Sequence, residues 1–368
     1  MTELEADVAA FIQAEPPEDE ATFEALALRV FEHQYETIEV VRRLADHVGR
    51  PPAQVKGWRQ IPSVPTSAFK DFELFSGRME DVHRVFESSG TSGKPRSRSP
   101  FSGPGLELMD LAIRANAQRS LLPDRIATRI LVLAPTPELA PSMIMAWGMQ
   151  QLIQHFGAEG SRFLINRDGL DHQGLDHALR SATDDGLPIT LIGASFGFVH
   201  LLDGLAEGGV RYYCVPGSRA MDAGGFKGRS RTVTRDWLAR SINDRFEIPG
   251  ERCVNLLGMT ELASQMYDGV LANNTAENRR KTNAHWTRTR VLDPTTLQPV
   301  PLGGRGLLQH LDLANVERPL AIQTDDLGSV DEHGWEVHGR AAGSDAKGCS
   351  LTVEEMLEPK VVPLPRRR

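Results

Sequence analysis

Hydrophobic residues follow two different spacings along the chain. Between residues 21 and 48 they recur at helical spacing, which predicts one long helix that the sequence GRPP at 49–52 ends. Further along, short apolar runs alternate with amphipathic stretches, a pattern typical of βαβ units and a largely parallel sheet. The predicted strands are 129–135, 188–193, 210–217 and 252–258, and the predicted helices are 105–121, 142–156, 194–209 and 231–246.

The residue pattern changes at several places, and these changes predict segment boundaries. The proline-rich stretch IPSVPTSAFK at 61–70 is typical of an extended, packed connector rather than a central strand. Beyond about residue 291, turn signals separate short strands, which predicts an antiparallel β appendage. We therefore expect a helical segment at 1–60, an α/β core at 61–290, a β subdomain at 291–340 and a C-terminal tail at 341–368.

Composition excludes several classes of protein. A length of 368 residues exceeds the size at which one hydrophobic core usually keeps growing. The formal net charge of −8 argues against a nucleic-acid partner, which normally leaves a basic footprint. No apolar run approaches the roughly 20 residues of a membrane span. The acidic N-terminus is unlike a signal peptide, and three widely spaced cysteines fit a reducing compartment, so we expect a cytoplasmic protein.

The polar stretch SSGTSGKPR at 88–96 is the first candidate for chemistry. A loop of Ser, Thr and Gly can present backbone N–H groups and hydroxyls to an anion, and a phosphate is the natural guest. It is not a Walker A loop, because Pro95 follows Lys94 where that pattern requires Ser or Thr. By composition alone the stretch also fits a flexible polar loop.

This stretch resembles the phosphate loop of the acyl-adenylate-forming (ANL) superfamily, and three segments follow in that superfamily's order. They are LLGMTELAS at 256–264, IQTDDLGSV at 322–330 and HGR at 338–340. The resemblance implies an ANL-like adenylation domain that uses ATP and Mg²⁺. It places Thr260 at the α-phosphate, Glu261 at Mg²⁺, and Asp326 and Arg340 at the ribose. The implied phosphate-binding residues are Ser88, Ser89, Gly90, Thr91, Ser92, Gly93 and Lys94.

Each of these residues has an ordinary structural explanation when it is taken singly. Glu261 would fit the first turn of a helix, where a negative charge is favourable, Asp326 would fit a turn cap, and Arg340 would fit a surface ion pair. The order of four segments along the chain favours the nucleotide site.

The end of the chain narrows the resemblance to one branch. Only 28 residues follow Arg340 (368 − 340), so we expect the superfamily's lid domain and its lysine to be absent. Together with IPSVPTSAFK and AGGFKG at 223–228, this ending resembles the acyl-protein synthetase (LuxE-type) family of the bacterial fatty-acid reductase complex. The resemblance implies that Cys349 accepts the acyl group. It also implies that Gly224, Gly225 and Phe226 lie beside the adenine.

The residues around Cys349 support an acceptor thiol on chemical grounds. Small polar neighbours allow the segment to swing, and only a thiolate attacks an acyl group well. The unperturbed pKa of a thiol is about 8.5, so the nearby Lys347 would favour the ionised form. Cys214 and Cys253 lie in apolar stretches and instead fit buried, inert cysteines.

The sequence supports three hypotheses about function. The first is an acyl-protein synthetase that adenylates a carboxylic acid, passes the acyl group to Cys349 and delivers it to an acyl reductase or another thiol acceptor. The second is an acyl- or aryl-CoA or carrier-protein ligase, and the third is a non-catalytic nucleotide-binding subunit that docks on a reductase. The identity of the acid and the oligomeric state stay open. The cation that replaces the lid lysine also stays open among Lys347, Lys227 and Lys94.

Overall fold

A computed structural model of the protein describes residues 1–15, 19–88, 96–224, 231–273 and 279–341. Its helices are α1 Glu3–Gln13, α2 Glu20–Thr37, α3 Glu39–His47, α4 Ala68–Asp71, α5 Gly103–Ser120, α6 Ile144–Phe156, α7 His172–Asp184, α8 Ser195–Glu207 and α9 Arg235–Phe246. Its strands are β1 Val64–Pro65, β2 Arg84–Glu87, β3 Arg98–Phe101, β4 Arg129–Pro135, β5 Arg162–Asn166, β6 Gly169–Leu170, β7 Ile189–Ala194, β8 Arg219–Ala223, β9 Cys253–Leu257, β10 Met266–Tyr267, β11 Thr287–Leu292, β12 Arg305–Asp312, β13 Ala321–Asp331 and β14 Gly334–Arg340.

The chain forms two compact units that do not follow the order of the sequence. The first unit comprises residues 1–112, 259–264 and the chain from 282 onward, and the second comprises 113–258 and 265–281. The domain boundaries expected near residues 60, 290 and 340 stay predictions.

The second unit is built on a seven-stranded sheet of order β10-β9-β8-β7-β4-β5-β6. The five inner strands run parallel, and the two-residue strands β10 and β6 pair antiparallel at the edges. Strands of such a sheet are covered on both faces and therefore read as continuous apolar runs. Leu131 and Leu191 of the sheet pack with Leu179, Phe198 and Phe246 of α7, α8 and α9, and each such burial contributes about 2 kcal/mol. The predicted parallel α/β core is confirmed.

The first unit contains a five-stranded sheet and a separate hairpin of β2 with β3. In the larger sheet, β11, β12, β13 and β14 pair antiparallel, as expected for the β appendage. The connector at 61–70 also joins it, because β1 pairs parallel with β13 through Val64 and Ile322. A proline is tolerated in β1 because the strand is short and lies at the edge of the sheet.

The N-terminal helices belong to the first unit, and a buried amide of α2 is one of their links to it. The side-chain nitrogen of Gln34 on α2 lies 2.6 Å from the carbonyl of Asn315, 3.1 Å from that of Val316 and 2.6 Å from that of Arg318. Its side-chain oxygen accepts a hydrogen bond from the Leu320 N–H at 2.8 Å. One residue of α2 therefore contacts four backbone groups of the turn between β12 and β13.

Two sequence predictions need correction. The single helix predicted at 21–48 is two helices, because Ile38 takes an extended conformation between α2 and α3 while each half keeps helical spacing. The strand predicted at 210–217 is irregular, and the strand of this region is β8. The apolar character of 210–217 comes from packing: the Tyr212 ring stacks on Phe246 at 5.9 Å, and Cys214 is buried.

No helix in the described ranges is both long enough and apolar enough to cross a membrane.

Candidate active site

The short segment 259–264 carries Glu261 and is held by two fully buried side chains, Asp312 at the end of β12 and Asn315 three residues later. Asp312 accepts hydrogen bonds from the Ser264 N–H at 2.7 Å and from the Ser264 hydroxyl at 2.8 Å. Asn315 donates its side-chain N–H to the Glu261 carbonyl at 2.9 Å. These bonds are internal to the first unit, so the backbone that presents Glu261 is fixed by the fold itself.

Glu261 has a buried carboxyl group, with only 6 % of the residue exposed, and Thr260 before it is also buried. Burial raises the pKa of Glu261, whereas its own backbone N–H, the Ser97 hydroxyl and the charges of Arg340 and Lys70 act in the opposite direction. A buried carboxylate needs compensating positive charge or hydrogen bonds to stay ionised. The Ser97 hydroxyl and the charges of Arg340 and Lys70 therefore favour the ionised form of Glu261, the form that a metal ligand requires.

Two serines that hydrogen-bond each other flank the predicted phosphate loop: Ser88 at its start and Ser97 just beyond its end. The Ser88 N–H donates to the Ser97 carbonyl at 2.9 Å, and the Ser97 N–H donates to the Ser88 hydroxyl at 3.0 Å. These bonds extend the antiparallel pairing of β2 with β3. Ser97 also hydrogen-bonds the Glu261 carboxyl group, so the base of the loop contacts the predicted metal ligand. The sequence prediction stopped at Lys94 and missed Ser97.

The two residues predicted at the ribose lie opposite each other. Asp326 on β13 is in register with Arg340 at the end of β14. The Arg340 Nε donates to Asp326 Oδ1 at 3.1 Å, and the Asp326 N–H donates to the Thr324 hydroxyl at 3.1 Å. The Arg340 side chain is 79 % exposed, so its remaining N–H groups face solvent where a ligand can reach them.

Lys70 is a cation that the sequence prediction did not include in the site. Pairing of β1 with β13 continues as the Thr66 N–H donates to the Gln323 carbonyl at 3.0 Å, and α4 follows at once. Lys70 therefore lies close in the fold to the strand that carries Asp326, and its charge acts on Glu261. The signal in the sequence was a lone lysine that ends an otherwise uncharged connector.

Gly224 belongs to the second unit and stands at the carboxyl end of β8. Its φ is +73°, a conformation that glycine adopts without the strain that a Cβ would cause. Its N–H donates to the Leu256 carbonyl on the neighbouring strand at 3.2 Å. Ligands of open parallel sheets bind beyond the carboxyl ends of the strands. The adenine contact of Gly224 stays a prediction.

Several predicted site residues lie outside the described residues, and their roles stay predictions. They are Ser89, Gly90, Thr91, Ser92, Gly93, Lys94, Gly225, Phe226, Lys347 and Cys349. Lys227 lies outside them as well. The other two cysteines are described: Cys214 and Cys253 are buried, and burial raises the pKa of each thiol to about 12. Neither therefore supplies a useful thiolate near neutral pH.

The oxygen ligands of this site fit magnesium rather than a softer metal. Mg²⁺ is usually held by one or two carboxylates together with substrate phosphates and water. Glu261 supplies one buried carboxylate, and the described ranges hold no cluster of three or more His, Cys, Asp or Glu side chains that would form an all-protein metal cage. The donor set therefore suits an ion that arrives with a nucleotide.

The profile of the acyl-protein synthetase (LuxE) family matches residues 6–358. The chain belongs to this family. Two similar proteins are long-chain-fatty-acid–luciferin-component ligases. The Vibrio harveyi protein is 23% identical over 347 residues, which cover 90% of this chain and 86% of that protein. The Aliivibrio fischeri protein is 24% identical over 316 residues, which cover 82% and 80%. As an acyl-protein synthetase by family, the protein is an enzyme of the acyl-adenylate-forming ligase class.

Solved structures share the fold. An open conformation of 2-hydroxyisobutyryl-CoA ligase, in complex with 2-HIB-AMP and CoA, matches with a TM-score of 0.62 and 14% identity over 89% of this chain and 80% of that chain. A long-chain-fatty-acid-CoA ligase from Archaeoglobus fulgidus matches with a TM-score of 0.51 and 13% identity over 76% of this chain and 54% of that chain. These likenesses confirm the ANL-like adenylation fold predicted for this acyl-protein synthetase.

Proposed function

We propose that the protein activates a carboxylic acid with Mg·ATP and transfers the acyl group to its own Cys349. One observation carries this proposal. Segments far apart in the sequence meet in the first unit, where Ser97 at the base of the phosphate loop and the charge of Arg340 both act on Glu261. Arg340 in turn binds Asp326. This arrangement suits the phosphates, metal and ribose of one nucleotide.

The first step forms a mixed anhydride. A carboxylate oxygen of the acid attacks the α-phosphorus, the bond from that phosphorus to the bridging oxygen breaks, and pyrophosphate leaves with the electron pair. Mg²⁺, when bound, would neutralise phosphate charge, and Glu261 would hold it. Ser88 and Ser97 keep the ends of the phosphate loop together, while Thr260 is assigned to the α-phosphate. The protein's contribution is therefore positioning and charge neutralisation.

The second step moves the acyl group to sulfur. The Cys349 thiolate attacks the acyl carbon of the adenylate, a thioester forms, and AMP leaves. The names of the two ligase relatives favour a long-chain fatty acid as the substrate and a protein as the acceptor. A partner acyl reductase would then receive the acyl group. Cytoplasmic location is part of this proposal.

Lys70 is an additional candidate for the cation that assists adenylation. The sequence leaves Lys94, Lys227 and Lys347 open for this role. Lys70 lies within the described residues of the first unit, where its charge acts on Glu261.

The test uses Cys349→Ser in the full-length protein with ATP and a panel of fatty, short-chain and aromatic acids. The variant should release one pyrophosphate per active site but retain no hydroxylamine-labile acyl label, because a serine hydroxyl lacks the low pKa of a thiol. Cys214→Ser and Cys253→Ser are matched controls and should label like the wild type. Intact mass after incubation gives the result.

Other outcomes select the alternatives. If the wild type turned over rapidly with ATP, acid and coenzyme A as the acceptor, and carried no acyl label itself, the protein would be a CoA ligase. Absence of pyrophosphate release with every acid would leave a non-catalytic nucleotide-binding subunit.

A further inference from the structure

Three arginines of the first unit converge on one turn and take no part in the chemistry proposed above. Arg290 on β11 donates to the Arg59 carbonyl at 2.6 Å. The guanidinium of Arg50, which follows α3, lies 3.5 Å from the Gln60 carbonyl. Arg59 itself belongs to this turn at residues 58–60, so two guanidinium groups lie on successive carbonyls of the segment that carries the third. We call these three side chains the arginine cluster.

The positive charge of the arginine cluster is poorly neutralised by the described part of the chain. Among the described residues, no carboxylate lies within ion-pair distance of Arg50 or Arg290. The hydrogen bonds of Arg290 to Arg59 and to the Gln309 side chain both go to neutral oxygens. Burial lowers the pKa of Arg290 to about 10, and repulsion by Arg50 and Arg59 adds to the lowering. The cluster therefore holds like charges close together.

Glu20 is an acid that contacts this region, and its carboxylate is already engaged. Its Oε2 lies 2.6 Å from Arg288, and its Oε1 accepts a hydrogen bond from the Trp58 indole at 2.8 Å. Arg59 is 3.8 Å from the same carboxylate, and both side chains of that pair are more than half exposed. Exposed ion pairs contribute little, so Glu20 leaves most of the charge of the arginine cluster uncompensated.

Two members of the arginine cluster are held in place before any ligand arrives. The Arg59 guanidinium lies 4.3 Å from the centroid of the buried Trp58 ring, a stacking contact that favours one orientation. Arg290 is fixed by its bonds to Gln309 and to the Arg59 carbonyl. Side chains that are already ordered lose less conformational entropy on binding. Because Arg59 and Arg50 are exposed, a ligand can reach them.

The chemistry of the arginine cluster favours the carboxylates of a protein over a small phosphate ion. Small-anion sites usually offer backbone N–H groups from a nest or a helix N-terminus. Here the backbone groups that contact the guanidinium groups of Arg50 and Arg290 are carbonyls, which repel an anion placed among them. Guanidinium groups pair bidentately with carboxylates, and arginine is enriched at protein interfaces. In a chain of net charge −8, such a cluster gives an acidic partner a defined place to dock.

We propose that the arginine cluster docks an acidic segment of the protein that receives the acyl group. Arg50 and Arg59 pair with carboxylates of that segment at the surface, and half-buried Arg290 adds to their positive field. The inference rests on the proposed function, because that proposal supplies the acyl acceptor. Attraction between opposite charges brings the two proteins together quickly and makes their association dependent on salt.

The test uses a fluorescein-labelled hexaglutamate peptide as the probe and hexaglutamine as its uncharged counterpart. Fluorescence anisotropy at low ionic strength measures the dissociation constants for full-length wild type, Arg50→Gln and Arg290→Gln. The wild type should bind hexaglutamate only, and each variant should bind it roughly fivefold more weakly, because one charged contact is lost. Added salt should weaken the binding. Equal binding of the two peptides by the wild type would overturn the inference.

Arg78→Gln is the matched control. Arg78 is also an exposed arginine of the first unit, but it pairs with Glu80 at 2.5 Å and with Asp81 at 3.0 Å. Its loss should leave hexaglutamate binding unchanged. Equal weakening in all three variants, or unchanged binding in both cluster variants, would contradict the proposal. If Arg290→Gln does not fold, Arg50→Gln decides, because Arg50 is exposed and its replacement disturbs no packing.

A competition experiment distinguishes a protein segment from a small anion. Inorganic phosphate is added to the complex of wild type and hexaglutamate, with sodium chloride of the same ionic strength as the reference. The two salts should displace the peptide equally. Stronger displacement by phosphate would indicate a small-anion site and overturn the assignment to a protein segment.

Pyrophosphate release with ATP and acid is measured on the same samples. Saturating hexaglutamate should leave the release unchanged, and inhibition would mean that the peptide occupies the active site, which would overturn the inference. Release without any binding of hexaglutamate contradicts this inference alone. Binding that depends on the arginine cluster, without release from any acid, contradicts the proposed function.

Discussion

Glu261 in the first unit and Lys281 in the second are both buried charged residues, but their surroundings differ. Lys281 donates to two oxygens of Asn255, which is itself bonded within the sheet. Glu261 has Ser97 at the end of a loop and the charges of two exposed side chains, Arg340 and Lys70. The partners of Lys281 lie inside the sheet, so we expect its charge to affect stability. Two partners of Glu261 are exposed, so we expect its charge to affect ligand binding.

The largest expected effect on the rate of adenylation comes from neutralising Glu261. Glu261→Gln should reduce Mg²⁺-dependent pyrophosphate release by about 100-fold or more, because one group that stabilises the transition state is lost. Its unfolding free energy should stay equal or rise, since a buried charge no longer needs to be desolvated. Pyrophosphate release is measured in timed assays at saturating Mg·ATP, and the free energy of unfolding is measured with urea.

Asp124→Asn is the control for that experiment. Asp124 pairs with buried Arg219 in the second unit, and desolvation and the pairing with Arg219 act in opposite directions on its pKa, with a net lowering. This variant should lose stability and keep turnover. If Glu261→Gln turned over normally, the contrast between the two regions would disappear.

A smaller effect is expected for Lys70. Lys70→Gln should slow adenylation by roughly tenfold, less than the Glu261 variant, because an exposed charge is screened by solvent and salt. Raising the ionic strength should slow the wild type and leave the rate of the variant unchanged, so the difference between the two should shrink. Lys56→Gln removes another exposed lysine of the first unit and should have normal rates. Identical rates for the two lysine variants would remove Lys70 from the site.

The smallest effect on the rate of adenylation is expected for Lys281, whose charge instead affects the stability of the fold. Burial lowers the pKa of Lys281 to about 7, with Arg235 and Arg279 adding repulsion and Asp268 and Asp222 opposing it. In the unfolded chain the lysine pKa is about 10.4, so between these values the unfolded state binds more protons and stability rises with pH. Below pH 7 both states are protonated and this contribution is constant.

The measurement compares wild type with Lys281→Met by urea unfolding from pH 6 to pH 10. The difference in unfolding free energy should be flat below about pH 7 and then increase by up to about 1.4 kcal/mol per pH unit. A difference that stays constant over the whole range would contradict a depressed pKa.

Local pattern was sufficient for most of the second unit. Residues 129–135 were predicted as a strand and form β4, because a strand covered on both faces is apolar throughout. The same rule failed at 210–217, where side-chain packing buries Tyr212 in part and Cys214 fully, without the ladder hydrogen bonds of a strand. Hydrophobicity reports burial, and burial does not require a strand.

The residues of the candidate site also fall into those that local sequence predicts and those that it does not. Glu261, Asp326 and Arg340 stand in local sequence motifs and were predicted from them. Ser97 and Lys70 take part only because distant segments meet, through the pairing of β2 with β3 and of β1 with β13. No local pattern encodes such contacts, and none predicted that buried Lys281 would donate to Asn255.

The Gln34 amide has a consequence for how the protein is made. Its acceptor Asn315 lies 281 residues further along the chain, so the bond cannot form until the ribosome has synthesised nearly the whole protein. The N-terminal helices emerge first but must wait for their partner, while the second unit can fold in the interval. We therefore expect the first unit to stay unfolded longest in nascent chains, and to be the part that chaperones and proteases recognise.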